Sequence, residues 1–136
     1  MEYKKGLLFM LILASIAINI FFIATENPDS TYCLSGQGCK IVQNSVYATL
    51  LGDTRNSHLG MIAFLALFLV FFLTYKNKIK YKYFLAMTYV GAILAVYFIY
   101  LQFFVINAIC SNCMAIDIIM IIIAVVAILD YREKRL

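Results

Sequence analysis

The sequence has few of the residues on which several common kinds of function depend. Its 136 residues include one histidine, His58, and one proline, Pro28. Because Pro28 lies outside every long apolar run, the chain gives little support to a transporter built on broken helices. The lone His58, at the edge of an apolar run, is read as an interfacial residue rather than a metal ligand. No dinucleotide, haem or phosphate-binding motif is present.

Charge is also scarce, and hydrophobic residues take its place. Only 13% of the residues are charged, 65% are hydrophobic, and the mean hydropathy is +0.93. A soluble domain of this length would expose a largely apolar surface, whereas a lipid bilayer solvates such a surface. We therefore expect an integral membrane protein, with a single domain over residues 1–136 embedded in the lipid bilayer.

Four apolar runs are each long enough to cross a hydrocarbon core, which needs about 20 helical residues. They cover residues 6–24, 58–75, 83–107 and 110–129. Backbone polar groups in lipid must be satisfied within the segment, so these runs are predicted to be helices. The first is read as an uncleaved span, since its apolar stretch is long and no small-residue cleavage site is evident. The expected fold class is an all-α membrane protein, a four-transmembrane-helix bundle.

Basic residues collect at one membrane face. Nine of the eleven lysines and arginines lie before the first run, between the second and third, or after the fourth: Lys4, Lys5, Lys76, Lys78, Lys80, Lys82, Arg132, Lys134 and Arg135. By the positive-inside rule, this face is cytoplasmic, so both termini are expected inside a plasma or inner membrane. Basic residues confined to membrane boundaries also argue against nucleic acid as a partner.

With this topology the loop over residues 25–57 is extracytoplasmic. Apolar residues recur there at near-helical spacing after Cys39: Ile41, Val42, Val46, Leu50 and Leu51. The spacing predicts a short interfacial helix in the loop, lying on the membrane and covering the outer end of the bundle.

Four cysteines share the extracytoplasmic side: Cys33 and Cys39 in the loop, and Cys110 and Cys113 at the start of the fourth run. Outside the cytosol such pairs can form and exchange disulfides. A Cys-x-x-Cys pair at a helix start suits redox work, because the helix dipole favours a thiolate there. The alternatives are packing as small hydrophobic residues, or a structural zinc site on four thiolates, for which Cys33-x5-Cys39 is widely spaced.

Four short motifs follow one another along the chain: Cys33-Leu-Ser-Gly-Gln-Gly-Cys39, Ser45-Val-Tyr-Ala, Asn56-Ser-His-Leu-Gly60 and Cys110-Ser-Asn-Cys113. In this order, they resemble vitamin K epoxide reductase homologues. The resemblance implies an enzyme, a thiol oxidoreductase with a membrane quinone such as ubiquinone or menaquinone as electron acceptor. It also implies a partner with a thioredoxin fold outside the cytoplasm, and a function in disulfide bond formation. A composition rich in lysine, isoleucine and tyrosine is compatible with a microbial, single-domain form.

The resemblance also gives each cysteine a role. Cys33 would meet the partner, and Cys39 would pair with Cys33 or, during turnover, with Cys110. Cys113 would face the quinone. Another quinone-linked oxidase with four spans carries its Cys-x-x-Cys in the first external loop, so the order of the pairs argues against it. A non-enzymatic metal-binding or structural membrane protein stays open as the alternative function.

Three further residues are candidates for the site. Ser45 matches the family serine that shapes the site, although it also suits an interfacial helix. Asn56 matches the asparagine whose amide hydrogen-bonds a quinone carbonyl, although it also suits a helix N-cap. Asp117 stands four residues after Cys113, where vertebrate members carry a tyrosine that contacts the quinone. An ionisable group inside a span is costly, so Asp117 is expected to bind the quinone or pass it protons, or else to bond neighbouring helices.

Overall fold

The computed structural model describes residues 2–24, 38–51 and 54–136. Five α-helices lie in these ranges: α1 (Glu2–Ala24), α2 (Gly38–Gln43), α3 (Asn56–Tyr75), α4 (Tyr81–Tyr100) and α5 (Ser111–Arg135). All except the short α2 are long and apolar enough to cross a membrane. The predicted all-α membrane fold with four transmembrane helices is therefore confirmed.

Helix α1 shows how an almost wholly apolar sequence still selects one face. Its buried residues recur every three or four positions, as a single helical stripe requires: Leu8, Ile12, Ser15, Asn19 and Phe22. The two polar members bond to their own helix, because lipid offers no partners: Ser15 Oγ donates to the Leu11 carbonyl at 2.9 Å and Asn19 Nδ2 to the Ser15 carbonyl at 2.8 Å. The stripe faces the bundle, while apolar residues such as Met10, Ile20 and Phe21 are exposed on the outside of the helix.

The four long helices form a closed ring around one core. Helix α4 packs against α5, α1 packs against α3 and α5, and α3 completes the ring with α4. Every long helix contributes to the buried cluster: Leu8, Ile12, Phe64, Leu67, Phe71, Phe84, Ala95, Met120, Ile123 and Ala127. The Phe71 and Phe84 rings meet at 5.3 Å between centroids in a tilted arrangement.

Two helix ends differ from the predicted runs. After Tyr100, α4 continues as a π-helical segment, Leu101–Ile106, and the chain then turns at Asn107, which has a left-handed φ of 53°. Asparagine is one of the few residues that tolerate this conformation. Helix α5 continues beyond residue 129 to Arg135, because Lys134 pairs with Asp130 at 3.0 Å and basic side chains suit the negative end of the helix dipole.

The short helix predicted in the loop is present as α2, and it covers the first part of the apolar pattern. Helix α2 ends at Gln43, and a 3₁₀ turn, Val46–Ala48, and two antiparallel strands follow: β1 (Thr49–Leu51) and β2 (Thr54–Arg55). After α2, Ser45 turns back on the helix: its Oγ donates to the Val42 carbonyl at 2.7 Å and its N–H to the same oxygen at 3.3 Å. Serine side chains favour such local bonds at turns, and here they hold the turn that follows α2.

Candidate functional site

The Cys-x-x-Cys pair lies where α5 begins. Cys110 is the N-cap residue, with extended φ and ψ of −93° and 106°, and Cys113 lies in the first turn. The two form a disulfide, with 5.3 Å between their Cα atoms. Cys110 Sγ also accepts a hydrogen bond from the Cys113 N–H at 3.3 Å, in the manner of an N-cap side chain. Both sulfurs are thus held at the positive end of a helix dipole.

The two cysteines have different surroundings. Cys110 is fully buried and packs in a small cluster with Phe22 of α1, Val42 of α2 and Cys113. Helix α2 also packs against α5 and the π-helical segment. The loop therefore covers the Cys110 side of the disulfide. Cys113 is half-buried and lies at the edge of the covered region.

A glutamine from the preceding helix holds the cysteine pair in place. Gln102, in the π-helical segment, is 3% exposed, and its Oε1 accepts a hydrogen bond from the Cys110 N–H at 2.9 Å. In a capping box the same N-cap N–H is satisfied by a side chain three residues later in its own helix. Here the acceptor comes from a different helix, so the position of Cys110 depends on α4.

Beside the disulfide lies a cavity of about 320 Å³, lined by residues of the four long helices and the loop. Its walls are mainly apolar, with Phe22, Phe64, Leu94, Phe98, Leu101, Ile106, Ile116 and Met120 among them. Small residues also line it: Ala48, Gly60, Ala63, Gly91 and Ala95. The space exists because these positions have little or no side chain.

Four residues singled out from the sequence lie on the wall of this one cavity: Ser45, Asn56, Cys113 and Asp117. Asn56 is the first residue of α3, and its Nδ2 donates to the Tyr47 carbonyl at 2.9 Å, which joins α3 to the 3₁₀ turn. Asp117 lies one helical turn after Cys113 on the same face of α5 and is partly buried. The cavity therefore brings together a sulfur of the disulfide, a carboxyl, an amide and a hydroxyl.

The sequence model of the vitamin K epoxide reductase family matches residues 5–128, most of the chain. The chain belongs to this family. No curated protein and no solved structure gives a match. Vitamin K epoxide reductases are quinone-linked thiol oxidoreductases in general, so this membrane protein is an oxidoreductase acting on thiols. The electron acceptor in this family is in general a quinone.

Of the two loop cysteines of this vitamin K epoxide reductase homologue, the structure describes only the backbone of Cys39. Cys33 lies outside the described residues, and Cys39 is the second residue of α2, with its side chain outside them too. Helix α2 packs against α5. The exchange of disulfides between Cys39 and Cys110 stays a prediction.

Two polar residues of the cavity wall were missed in the sequence: Gln102, and Asn19 of α1, which is 1% exposed. Both stand in apolar spans, where an uncharged amide is costly to bury without partners. An amide in the middle of an apolar span was therefore the feature of the sequence from which both residues could have been found. Neither residue belongs to a motif of the vitamin K epoxide reductase resemblance, and only their placement in space connects them with Cys113.

Proposed function

We propose that the protein oxidises the thiols of an extracytoplasmic thioredoxin-fold protein and delivers the electrons to a membrane quinone. One observation carries this proposal. Cys113, half of a disulfide, lies on the wall of an apolar cavity that also presents Asn56 and Asp117. A sulfur pair that opens into lipid-compatible space suits an acceptor that travels in the membrane.

The cavity fits a quinone ring in size and chemistry. Its volume of about 320 Å³ lies within the range of small-molecule sites, roughly 300 to 1,000 Å³. Its aromatic and aliphatic walls match a flat, apolar ring. The few polar groups match two carbonyl oxygens, which only accept hydrogen bonds from a protein.

In the proposed cycle the Cys33–Cys39 disulfide is opened first. A partner thiolate attacks it, and the second partner thiol completes the exchange, which leaves the partner oxidised and both loop cysteines as thiols. The Cys39 thiolate then attacks Cys110, which forms a Cys39–Cys110 disulfide and releases the Cys113 thiolate. Cys33 attacks the Cys39 sulfur, which re-forms the Cys33–Cys39 disulfide and leaves Cys110 and Cys113 as two thiols. These thiols give up two electrons and two protons to the quinone and close the disulfide again.

The polar residues of the cavity have distinct parts in this proposal. Asn56 donates from its amide to one quinone carbonyl, and its bond to the Tyr47 carbonyl fixes its orientation. Asp117 stands on the face of α5 that Cys113 shares and moves the protons between the thiols and the ring oxygens. Ser45 keeps the end of α2 closed over the site through its bond to the Val42 carbonyl.

The same structure disfavours a zinc-holding protein as the alternative. A zinc site on the cysteines needs thiolate ligands. Cys110 and Cys113 are joined in a disulfide, and sulfurs in that state are not thiolates. Metal analysis of the purified protein separates the two functions, because only the alternative requires about one zinc per chain.

The test uses the purified full-length chain in detergent with a reduced thioredoxin-fold protein and a short-chain quinone. Quinone absorbance is followed for the wild type and for each of the four Cys→Ala variants. Every variant is expected to lose turnover, and Cys33→Ala to accumulate a Cys39–Cys110 disulfide that mass spectrometry identifies, because Cys33 is absent to resolve it. Thr88→Val is the matched control, because the buried Thr88 hydroxyl bonds only within α4 and does not line the cavity. Equal turnover in all four cysteine variants would contradict the proposal.

A further inference from the structure

Gln102 differs from the other buried amides and hydroxyls of the described spans in where its hydrogen bond goes. Ser15, Asn19 and Thr88 return their bonds to carbonyls of their own helices, three or four residues back. Gln102 instead bonds to Cys110, eight residues ahead and at the cap of the next helix. The buried Gln102 side chain therefore joins two different helical elements.

The local backbone is also unusual. Gln102 stands in the π-helical segment Leu101–Ile106, which ends at Asn107 in a left-handed conformation. π-helical turns are rare and occur often at functional sites, because the wider turn redirects side chains. This turn separates regular α4 from the cap of α5. It brings the Gln102 side chain to the cysteine pair.

The chemistry of the partner fixes which end of the Gln102 amide faces it. A backbone N–H can only donate, so the atom 2.9 Å from Cys110 N must be the carbonyl oxygen, Oε1. The other end, Nε2, carries two donor hydrogens. Gln102 lines the same cavity as Cys113, so these donors belong to a side chain that borders the space proposed for the quinone.

We infer that Gln102 is a quinone-binding residue: its Nε2 donates to a ring carbonyl while its Oε1 holds the Cys110 N–H. The inference rests on the proposed function and deepens it. One rigid amide then fixes the distance between the acceptor and the cysteine pair. A donor aimed at a carbonyl oxygen helps further as that oxygen gains negative charge during reduction.

The first experiment compares wild type, Gln102→Met and the control Thr88→Val in detergent, with a short-chain quinone as probe. Methionine is close to glutamine in shape but supplies no amide donor. The KM for quinone is expected to rise about three- to tenfold in Gln102→Met, the size of one lost hydrogen bond, and to stay within twofold in Thr88→Val. The rate at which electrons pass from the loop cysteines to the Cys110–Cys113 pair, measured without quinone, reports on the cap alone.

A merely structural cap predicts another pattern, and that pattern overturns the inference. The thermal midpoint and the quinone-free exchange rate would fall in Gln102→Met, while the KM for quinone would stay at the wild-type value. A failure of the proposed function looks different again. In that case the wild type itself exchanges thiols with the partner but never reduces the quinone.

A second measurement needs no variant and covers the case in which Gln102→Met does not fold. The chain has three glutamines, Gln37, Gln43 and Gln102, so selective ¹⁵N labelling gives three side-chain amide signals. Addition of the short-chain quinone is expected to move the Gln102 signal, which is assigned by its protection from exchange with water, since Gln102 is buried. A quinone that binds and leaves that signal unmoved refutes the inference.

Discussion

The two ends of the helix bundle are closed by different chemistry. At the lysine end, where α3 leads into α4 and α5 finishes, aromatic rings fill the interior. Tyr81 contacts Phe84 at 5.6 Å and stacks on Tyr131 at 5.9 Å between ring centroids, and Lys134 lies 4.3 Å from the centre of the Tyr81 ring. At the cysteine end, small residues and amides stand among the apolar side chains that line the large cavity. The same apolar composition thus gives a packed half and an open half.

The two ends of the bundle differ in the size of the side chains that face the interior. Phe84 is fully buried between helices at the lysine end, whereas Gly60, Gly91 and Ala95 occupy the walls at the cysteine end. Cavities cost stability, since their walls lose dispersion contacts. The packed half therefore supplies the stability of the bundle, and the open half is free to hold a ligand.

The strongest way to break this contrast is to place an aromatic ring in the open half. Ala95 is buried and lines the cavity, so the ring of Ala95→Phe has only the cavity to enter. We expect nearly complete loss of quinone reduction, with partner-to-cysteine exchange retained in a quinone-free assay. Quinone turnover near the wild-type rate would show that the cavity is not the acceptor site.

The converse change removes a ring from the packed half. Phe84→Ala is expected to lower the free energy of unfolding by about 3 to 5 kcal/mol, the usual cost of deleting a buried phenylalanine. Denaturant titration in detergent measures the loss. Phe98→Ala on the cavity wall is the matched control, and it should cost less because Phe98 is only half-buried. Equal losses at both positions would remove the distinction between the two halves.

Asp117 tests the chemistry of the open half without changing its shape. Asp117→Asn keeps the size and hydrogen-bonding capacity of the side chain but removes its ability to carry a proton. We expect quinone reduction to slow by about a hundredfold, the lower end of the usual effect of losing a positioned acid–base group. Stopped-flow absorbance separates this step from disulfide exchange between the cysteines, which should be unchanged. An unaltered quinone rate would discard the proton role.

The smallest expected effect comes from Gly91. A Cβ atom there would collide with the terminal methyl of Met120, the flexible end of a side chain that also lines the cavity. Gly91→Ala is therefore expected to displace Met120 into the cavity and raise the KM for quinone by about twofold to fivefold, as a partial loss of contacts worth under 1 kcal/mol would. Met120→Ala in the same chain should restore the KM, and a double variant no better than Gly91→Ala would contradict this account.

Sequence patterns reach the helices more easily than they reach the site. The four spans follow from apolar runs of sufficient length, because lipid leaves the backbone no other satisfied structure. The π-helical turn at Leu101 was not predictable in this way, since hydrophobicity does not change there. The loop helix was predicted as a short one, but its end at Gln43 was not, because the pattern of Ile41 and Val42 carries no sign of the Ser45 bond that follows it.

The site itself depended on a different kind of information. Ser45, Asn56 and Asp117 came from the resemblance to the vitamin K epoxide reductase family, and their placement around one cavity is a property of the fold. Gln102 belongs to no motif. Only the helix order and the turn after α4 bring it to Cys110, so no local reading of residues 100–104 predicts its bond.

The placement of the disulfide between loop and cavity has a kinetic consequence. Cys110 lies under the loop, while Cys113 lines the chamber between the helices. Under the proposed function, the water-borne reductant reacts at the loop cysteines and the lipid-borne oxidant beside Cys113, so electrons pass from one to the other only through the two cysteine pairs. Steady-state data should then follow a ping-pong scheme, with parallel lines in double-reciprocal plots at different concentrations of the second substrate.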